Sequence, residues 1–140
     1  MKIFLDANIL VSVLNKEYPV FPFSSRIMSL PEFYPRVDLY TSPFCLAITA
    51  YFAEKKSGRT AAKRKIELLI GRLNISLINE ETAQKAIQNP AIEDFKDGLE
   101  YYSALQADCN FIISEDPADF YFSSIPIYRS REFLLHHFQG

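Results

Sequence analysis

Apolar positions in this chain fall into short runs that alternate with helical spacings. Ile3-Phe4-Leu5 is a compact run of the kind that forms a strand buried on both faces, and it stops at Asp6. Helical spacing begins at once, with Ile9, Val13 and Leu14 at i, i+4 and i+5, which predicts a helix from about Asn8 to Asn15. Pro19 and Pro22 mark a loop. Phe23, Ile27 and Leu30 then repeat at i, i+4 and i+7, a helix that ends near Pro31. Leu39-Tyr40-Thr41 reads as a second strand. Ser42 offers an N-cap with Pro43 at the first helical position and Gly58 offers a stop, so a helix is expected from 43 to about 57.

The second half continues the alternation. A basic helix is expected over Arg59–Gly71 and a strand over Ile75–Ile78. A helix capped by Asn79 breaks at Asn89-Pro90, and another follows from about Ile92 to Ala107. Phe111-Ile112-Ile113 reads as a strand that turns out through Ser114-Glu115-Asp116-Pro117. Ile125-Pro126-Ile127 suits a short edge strand, where proline is tolerated, and a terminal helix covers 130–138. Strands alternating with helices predict an α/β fold: a parallel sheet with helices on both faces and right-handed crossovers. There is no repeat, linker or low-complexity segment, so residues 1–140 read as one domain, long enough for a real core.

Composition excludes some classes. No apolar run is long enough to cross a bilayer, so no membrane partner is expected. The N-terminus lacks the signature of a secretory leader, because Asp6 and Asn8 interrupt its apolar stretch and no small-residue cleavage site follows. Cys45 and Cys109 have no metal spacing and read as buried thiols of a cytoplasmic protein. The net charge of −2 conceals an asymmetry. Residues 1–72 carry 11 Lys/Arg against 6 Asp/Glu, and residues 73–140 carry 4 against 11. A basic half beside an acidic half suits metal ions at one end of a cleft and a polyanion along its wall; two solvated faces would give the same count.

Three acidic positions fall where this architecture converges. Asp6 follows the first strand, Asp116 follows the fourth, and Asp97 lies near the start of the late helix. In open α/β sheets the carboxyl ends of the strands are where ligands bind. On a helical wheel Asp94, Asp97, Tyr101, Ala104 and Asp108 share one stripe, and the small Gly98 and Ala104 would let that side approach the sheet closely. Each acid also has a structural explanation: Asp6 and Asp116 as helix caps, Asp94 and Asp97 as a solvated face. Together they need a cation to remain ionised. With no His or Cys nearby the donors are all oxygen, which selects Mg²⁺ or Mn²⁺ over Ca²⁺. Such an ion can activate water and steady the charge on a phosphodiester.

Phe4-Leu-Asp6-Ala-Asn8-Ile-Leu10 resembles the opening of PIN domains, with D-x-N after the first strand. Asp94-Phe-Lys-Asp97-Gly-Leu-Glu-Tyr-Tyr-Ser-Ala-Leu105 resembles the segment in which an acid precedes an Ala-rich helix. Phe111-Ile-Ile-Ser114-Glu-Asp116-Pro-Ala-Asp119-Phe120 resembles the late strand and the acidic turn after it. The match extends to Ser124-Ile-Pro-Ile127 and Glu132-Phe133-Leu134, nearly the whole chain. The resemblance implies a three-layer, Rossmann-like α/β/α domain with a central parallel sheet of four to five strands. It implies a Mg²⁺- or Mn²⁺-dependent endoribonuclease, toxin-like, held inactive by an antitoxin protein; a homodimer is a further expectation. It assigns catalytic metal binding to Asp6, Asp97 and Asp116, with Asn8, Asp94, Ser114 and Asp119 in support. Lys55, Lys56, Arg59, Lys63 and Arg64 would follow an RNA backbone.

One position departs from the pattern. Where the family has a Glu on the helix after the second strand, Ser42-Pro-Phe-Cys-Leu-Ala-Ile-Thr49 places Ile48. Glu54 lies six residues on, about 240° around the helix, and cannot replace it directly. Two rival functions follow. One is a nucleic-acid or protein binding module that kept the fold and lost turnover. The other is a phosphotransfer enzyme with Asp6 as nucleophile, disfavoured because that chemistry wants D-x-D where this chain has Asp6-Ala7-Asn8.

Overall fold

The computed structural model describes residues 1–138. Five strands form one parallel sheet: β1 (Lys2–Leu5), β2 (Asp38–Thr41), β3 (Asn74–Ile75), β4 (Phe111–Ile113) and β5 (Ile127–Tyr128), in the order β3-β2-β1-β4-β5. The helices are α1 (Ala7–Leu14), α2 (Phe21–Phe33), α3 (Pro43–Ser57), α4 (Arg59–Ile70), α5 (Glu80–Gln88), α6 (Phe95–Gln106) and α7 (Ser130–His137), with a short 3₁₀ turn at Pro117–Phe120. Helices α1 and α3 pack together, with α2 and α7 continuing one side and α4 the other, while α5 pairs with α6. Right-handed crossovers place these two groups on opposite faces of the sheet. This is the expected α/β/α sandwich.

Ile3, Phe4 and Leu5 are fully buried, as are Ile112 and Ile113 beside them, because β1 and β4 are central and covered on both faces. Their register, Phe4 opposite Ile112 and Leu5 opposite Ile113, decides where the function can lie. The chain leaves β1 toward β2 on one side and returns from β3 to β4 on the other. The reversal of strand order therefore falls between β1 and β4, the crevice where doubly wound sheets bind ligands.

Local signals set most boundaries. The Ser42 side chain accepts from the Cys45 amide at 3.1 Å, with Pro43 first in α3. Gly58, at φ +84°, ends α3 and begins α4. Asn79 and Thr82 form a reciprocal capping box on α5.

Several expectations need correction. The strand expected over Ile75–Ile78 is only Asn74–Ile75; the Ser76 amide still donates to the Thr41 carbonyl of β2 at 2.8 Å, but the Leu77 carbonyl beyond it accepts from the Ser103 hydroxyl of α6 at 2.7 Å, and the Ser76 and Ser103 hydroxyls lie 2.5 Å apart. The edge strand is Ile127–Tyr128, with the Pro126 carbonyl accepting from Ile112. Helix α2 begins at Phe21, so Pro22 lies in its first turn and Pro31 inside it. Helix α6 begins at Phe95, and Asp108 lies past its end with φ 60°, so the stripe is shorter at both ends. Gly98 does approach a neighbour closely, but that neighbour is α5. A Cβ there would stand 3.0 Å from Ala86 Cβ and 3.1 Å from Ile92 Cγ2.

Gly98 thus fixes the seating of α6. Gly98→Val should lower unfolding stability by about 2 kcal/mol through overpacking against α5, outweighing its gain in helix propensity. Urea denaturation reads this directly; an unchanged midpoint would mean that α5 yields freely.

Candidate active site at the ends of β1 and β4

Asp6 stands one residue past Leu5 and Ser114 one past Ile113, so the β1–β4 register brings them side by side. The Ser114 hydroxyl donates to Asp6 Oδ2 at 2.7 Å, and the Ala7 amide donates to Oδ1 at 2.7 Å. Both oxygens of a nearly buried carboxylate are thereby satisfied, and α1 gains its cap. Asn8 crosses the same gap. Its Nδ2 lies 3.2 Å from Ser114 Oγ and 3.4 Å from Asp116 Oδ2, and its Oδ1 accepts from the Glu115 amide at 3.2 Å. The Asp116 amide donates to Ser114 Oγ at 3.1 Å. Ser114 and Asn8 therefore bind the end of β1 to the turn after β4.

Helix α6 closes the opposite side. Asp97 and Glu100, at i and i+3, share a face, and both are buried, at 8% and 3% exposure. With Asp6, Asp116 and Asp119 they border a cavity of about 360 Å³. The wall supplied by α3 carries no acid: Cys45 lies behind Asp6 and Glu100, and Ile48 and Phe52 border the cavity itself. One ligand atom each from Asp6, Cys45 and Glu100 lie within 4.8 Å of one another.

The field in this cavity is negative. Burial pushes the Asp97 carboxyl up to about 6; Lys96 opposes the rise, while Asp94, Asp119 and Asp6 reinforce it. Burial, then the charge of Asp6, pushes Glu100 up to about 10. Glu100 Oε2 is buried with no hydrogen-bond partner. Burial, together with Glu100 and Asp6, also raises the Cys45 thiol well above its ordinary value, so it stays neutral. Carboxylate donors gathered around one cavity, with a buried carboxylate oxygen left unpartnered, suit a hard divalent cation.

Asp6, Asp97 and Asp116 line this cavity with Asp119 and Asn8, but among the described residues Asp97 and Asp116 fall outside the 4.8 Å group that Asp6 forms with Cys45 and Glu100. Ser114 works from behind Asp6, fully buried. Asp94 does not join them. It is the N-cap of α6, accepting from the Lys96 amide and pairing with Lys96 Nζ at 2.6 Å, because the helix starts one residue after it. Lys96 lies 3.6 Å from Asp97 at the cavity edge. Glu100 was not singled out from the sequence; its i, i+3 spacing from Asp97 was the available signal.

The basic run divides. Lys56 donates to the Asn15 carbonyl, Arg59 pairs with Glu54 at 2.9 Å, and Lys55 lies over the Tyr51 ring. Arg59, Lys63 and Arg64 line a surface depression on α4 with Thr60 and Glu67.

A family model described as PIN domain matches residues 2–118. Ribonuclease VapC1 of Aquifex aeolicus (strain VF5) is 28% identical over 141 residues, covering 94% of this chain and 92% of the relative. VapBC2 of Rickettsia felis, bound to a DNA fragment from its promoter, matches with a TM-score of 0.68 at 18% identity, covering 91% of this chain and 97% of that one. VapBC-1 of nontypeable Haemophilus influenzae matches with a TM-score of 0.67 at 20% identity, covering 94% and 99%. VapC20 of Mycobacterium tuberculosis, a Sarcin-Ricin loop cleaving toxin, gives a TM-score of 0.61 at 15% identity, covering 79% and 86%.

The raised Asp97 predicts a pH signature in metal-free protein. Its folded carboxyl holds a proton up to about pH 6, whereas an unfolded one releases it near about 4. The stability tied to that proton is complete below the lower value and is lost as pH rises through the higher one. In EDTA at pH 7.5, Asp97→Asn should therefore melt several degrees above wild type, a gain of about 1–2 kcal/mol that fades toward pH 4. Thermal melts across pH 4–8 check this; a mutant that melts lower at pH 7.5 contradicts it.

Proposed function

We propose that this chain, which belongs to the PIN domain family, is a divalent-metal-dependent endoribonuclease of the VapC toxin kind, restrained by an antitoxin protein. The observation that carries the reading is that Asp6, Asp97 and Asp116, from three separate segments, line one cavity at the reversal point of the sheet. Asp6, Asp97 and Asp116 would hold Mg²⁺ or Mn²⁺. When bound, the ion supplies charge neutralisation and Lewis acidity for hydrolytic cleavage of a phosphodiester.

The chain's own groups prepare that step. Ser114 and the Ala7 amide fix the Asp6 carboxylate and leave its remaining lone pairs for the cavity. Asn8 holds the Asp116 turn against β1, so the acids keep their spacing when substrate enters. Lys96, half-shared between Asp94 and Asp97, stands where an incoming phosphate would need a cation. Asp119, which lines the same cavity, would orient water. Ile48 and Phe52 give one wall of the cavity an apolar face that limits bulk water. Lys63 and Arg64 would contact the RNA backbone beyond the cavity.

The VapBC structures from R. felis and H. influenzae support an antitoxin as partner, and VapC20 supports structured RNA as the substrate class. The rival reading is a PIN-fold binding module without turnover, favoured by Ile48 in the cavity wall.

The deciding experiment incubates a structured RNA pool with Mg²⁺ or Mn²⁺ against EDTA. Wild type should cut only with metal. Asp116→Asn should cut at least about 100-fold more slowly while still binding RNA in filter assays. Absence of any cleavage by wild type in either metal selects the binding module. Lys63→Ala with Arg64→Ala should weaken RNA binding and lower the slope of log affinity against log salt by about one to two; an unchanged slope removes α4 from the RNA path.

A further inference from the structure

We infer that Glu100 is a ligand of the divalent ion, supplying from α6 the carboxylate that Ile48 does not supply from α3. This rests on the metal-dependent reading above.

A glutamate is rarely buried unless something pairs with it. Glu100 is 3% exposed, and its Oε2 has neither a hydrogen-bond partner nor contact with solvent. Its carboxylate is not turned toward a basic group. It faces Asp6, with a ligand atom of each inside the same 4.8 Å cluster, and borders the cavity that Asp97 and Asp116 also border. A buried, unpartnered oxygen placed against another carboxylate is a donor arrangement that suits a cation. Nothing else within the described cluster can play that part: the third member, Cys45, is a thiol, a poor donor to a hard ion.

The α3 wall explains why the acid comes from α6. Cys45, Ile48 and Phe52 sit at i, i+3 and i+7 and face the cavity side without a charge among them. Ile48 borders the same cavity as Glu100, and of the two positions Glu100 is the one whose carboxylate lies beside Asp6. Helix α6 is held for this by the Ser76–Ser103 contact, by Ser103 donating to the Leu77 carbonyl at 2.7 Å, and by Gly98 against α5. A helix so fixed cannot swing Glu100 out to water without breaking buried hydrogen bonds.

Mn²⁺ titration calorimetry on folded protein tests this, with circular dichroism and melting as the check on each variant. The set is wild type, Asp6→Asn, Glu100→Gln, and Glu100→Gln combined with Ile48→Glu. Glu100→Gln keeps the shape and removes the charge, and it should weaken Mn²⁺ binding at least tenfold while remaining folded. Adding Ile48→Glu should recover most of that loss. If Asp6→Asn abolishes binding while Glu100→Gln binds like wild type, the site stands and Glu100 is not its ligand. If Glu100→Gln weakens binding and Ile48→Glu restores nothing, Glu100 remains a ligand but the exchange between helices is overturned. If wild type binds no Mn²⁺, with or without a non-cleavable RNA, the metal-dependent reading and this inference both fall. Should Glu100→Gln not fold, Glu100→Asp, which withdraws the carboxylate by one methylene, must weaken binding; unchanged affinity overturns the assignment.

Discussion

The Asp6 carboxylate is the constraint on which the other features depend. A charged group at the end of a fully buried strand needs its oxygens satisfied, and the chain does so with the Ala7 amide and the Ser114 hydroxyl. The first bond forces α1 to start immediately. The second forces β4 to lie beside β1 in the observed register, because only then does Ser114 stand opposite Asp6. Asn8 extends the link to Asp116. A one-residue slip between β1 and β4 would bury Ser114 elsewhere and leave Asp6 short of a donor, so fold register and site geometry are fixed by the same hydrogen bonds.

Much of this was legible from residue order. Ile3-Phe4-Leu5 followed by Asp6, and Phe111-Ile112-Ile113 followed by Ser114, announce central strands that end in polar groups. Ser42-Pro43 and Gly58 place both ends of α3. The weaker predictions failed where tertiary contacts override local pattern. Ile75–Ile78 has the composition of a strand, yet after the Ser76 amide bonds the Thr41 carbonyl the next carbonyl, Leu77, accepts from the Ser103 hydroxyl of α6 instead of extending the ladder. The expected start of α6 near Ile92, just after the Asn89-Pro90 break, is three residues early: Asn89 Oδ1 takes the Ala91 amide, and Asp94, accepting from the Lys96 amide, caps a helix that begins at Phe95. That shift of one turn converts Asp94 from a candidate site acid into a cap.

Glu100 shows a different limit. Spacing alone puts Asp97 and Glu100 on one face, but it cannot say whether that face meets water or the sheet. Composition argued for water, since glutamate on a helix is ordinarily exposed. What reverses the expectation is the position of α6 over the ends of β1 and β4, and that follows from long-range facts: the strand order, the close packing at Gly98, and the Ser76–Ser103 contact. Ile48, by contrast, was visible as a gap in a pattern. A gap in sequence is a statement about one position, whereas a metal site is a statement about a volume, and any helix bordering that volume can fill it.

The cost of such a site falls on the fold. Asp97 and Glu100 both have carboxyls raised by burial and by their acidic neighbours, so at neutral pH the metal-free protein keeps Glu100 protonated and bears the cost of ionising Asp97 in a buried, acidic setting. The favourable terms that offset it lie outside the cavity: the fully buried Phe4, Ile112, Phe120 and Phe133, and the capping box of α5 that presents a rigid support to α6. On the proposed reading, a bound cation displaces the Glu100 proton and offsets the buried negative charge, so ion binding and folding are coupled and stability rises with ion concentration by mass action.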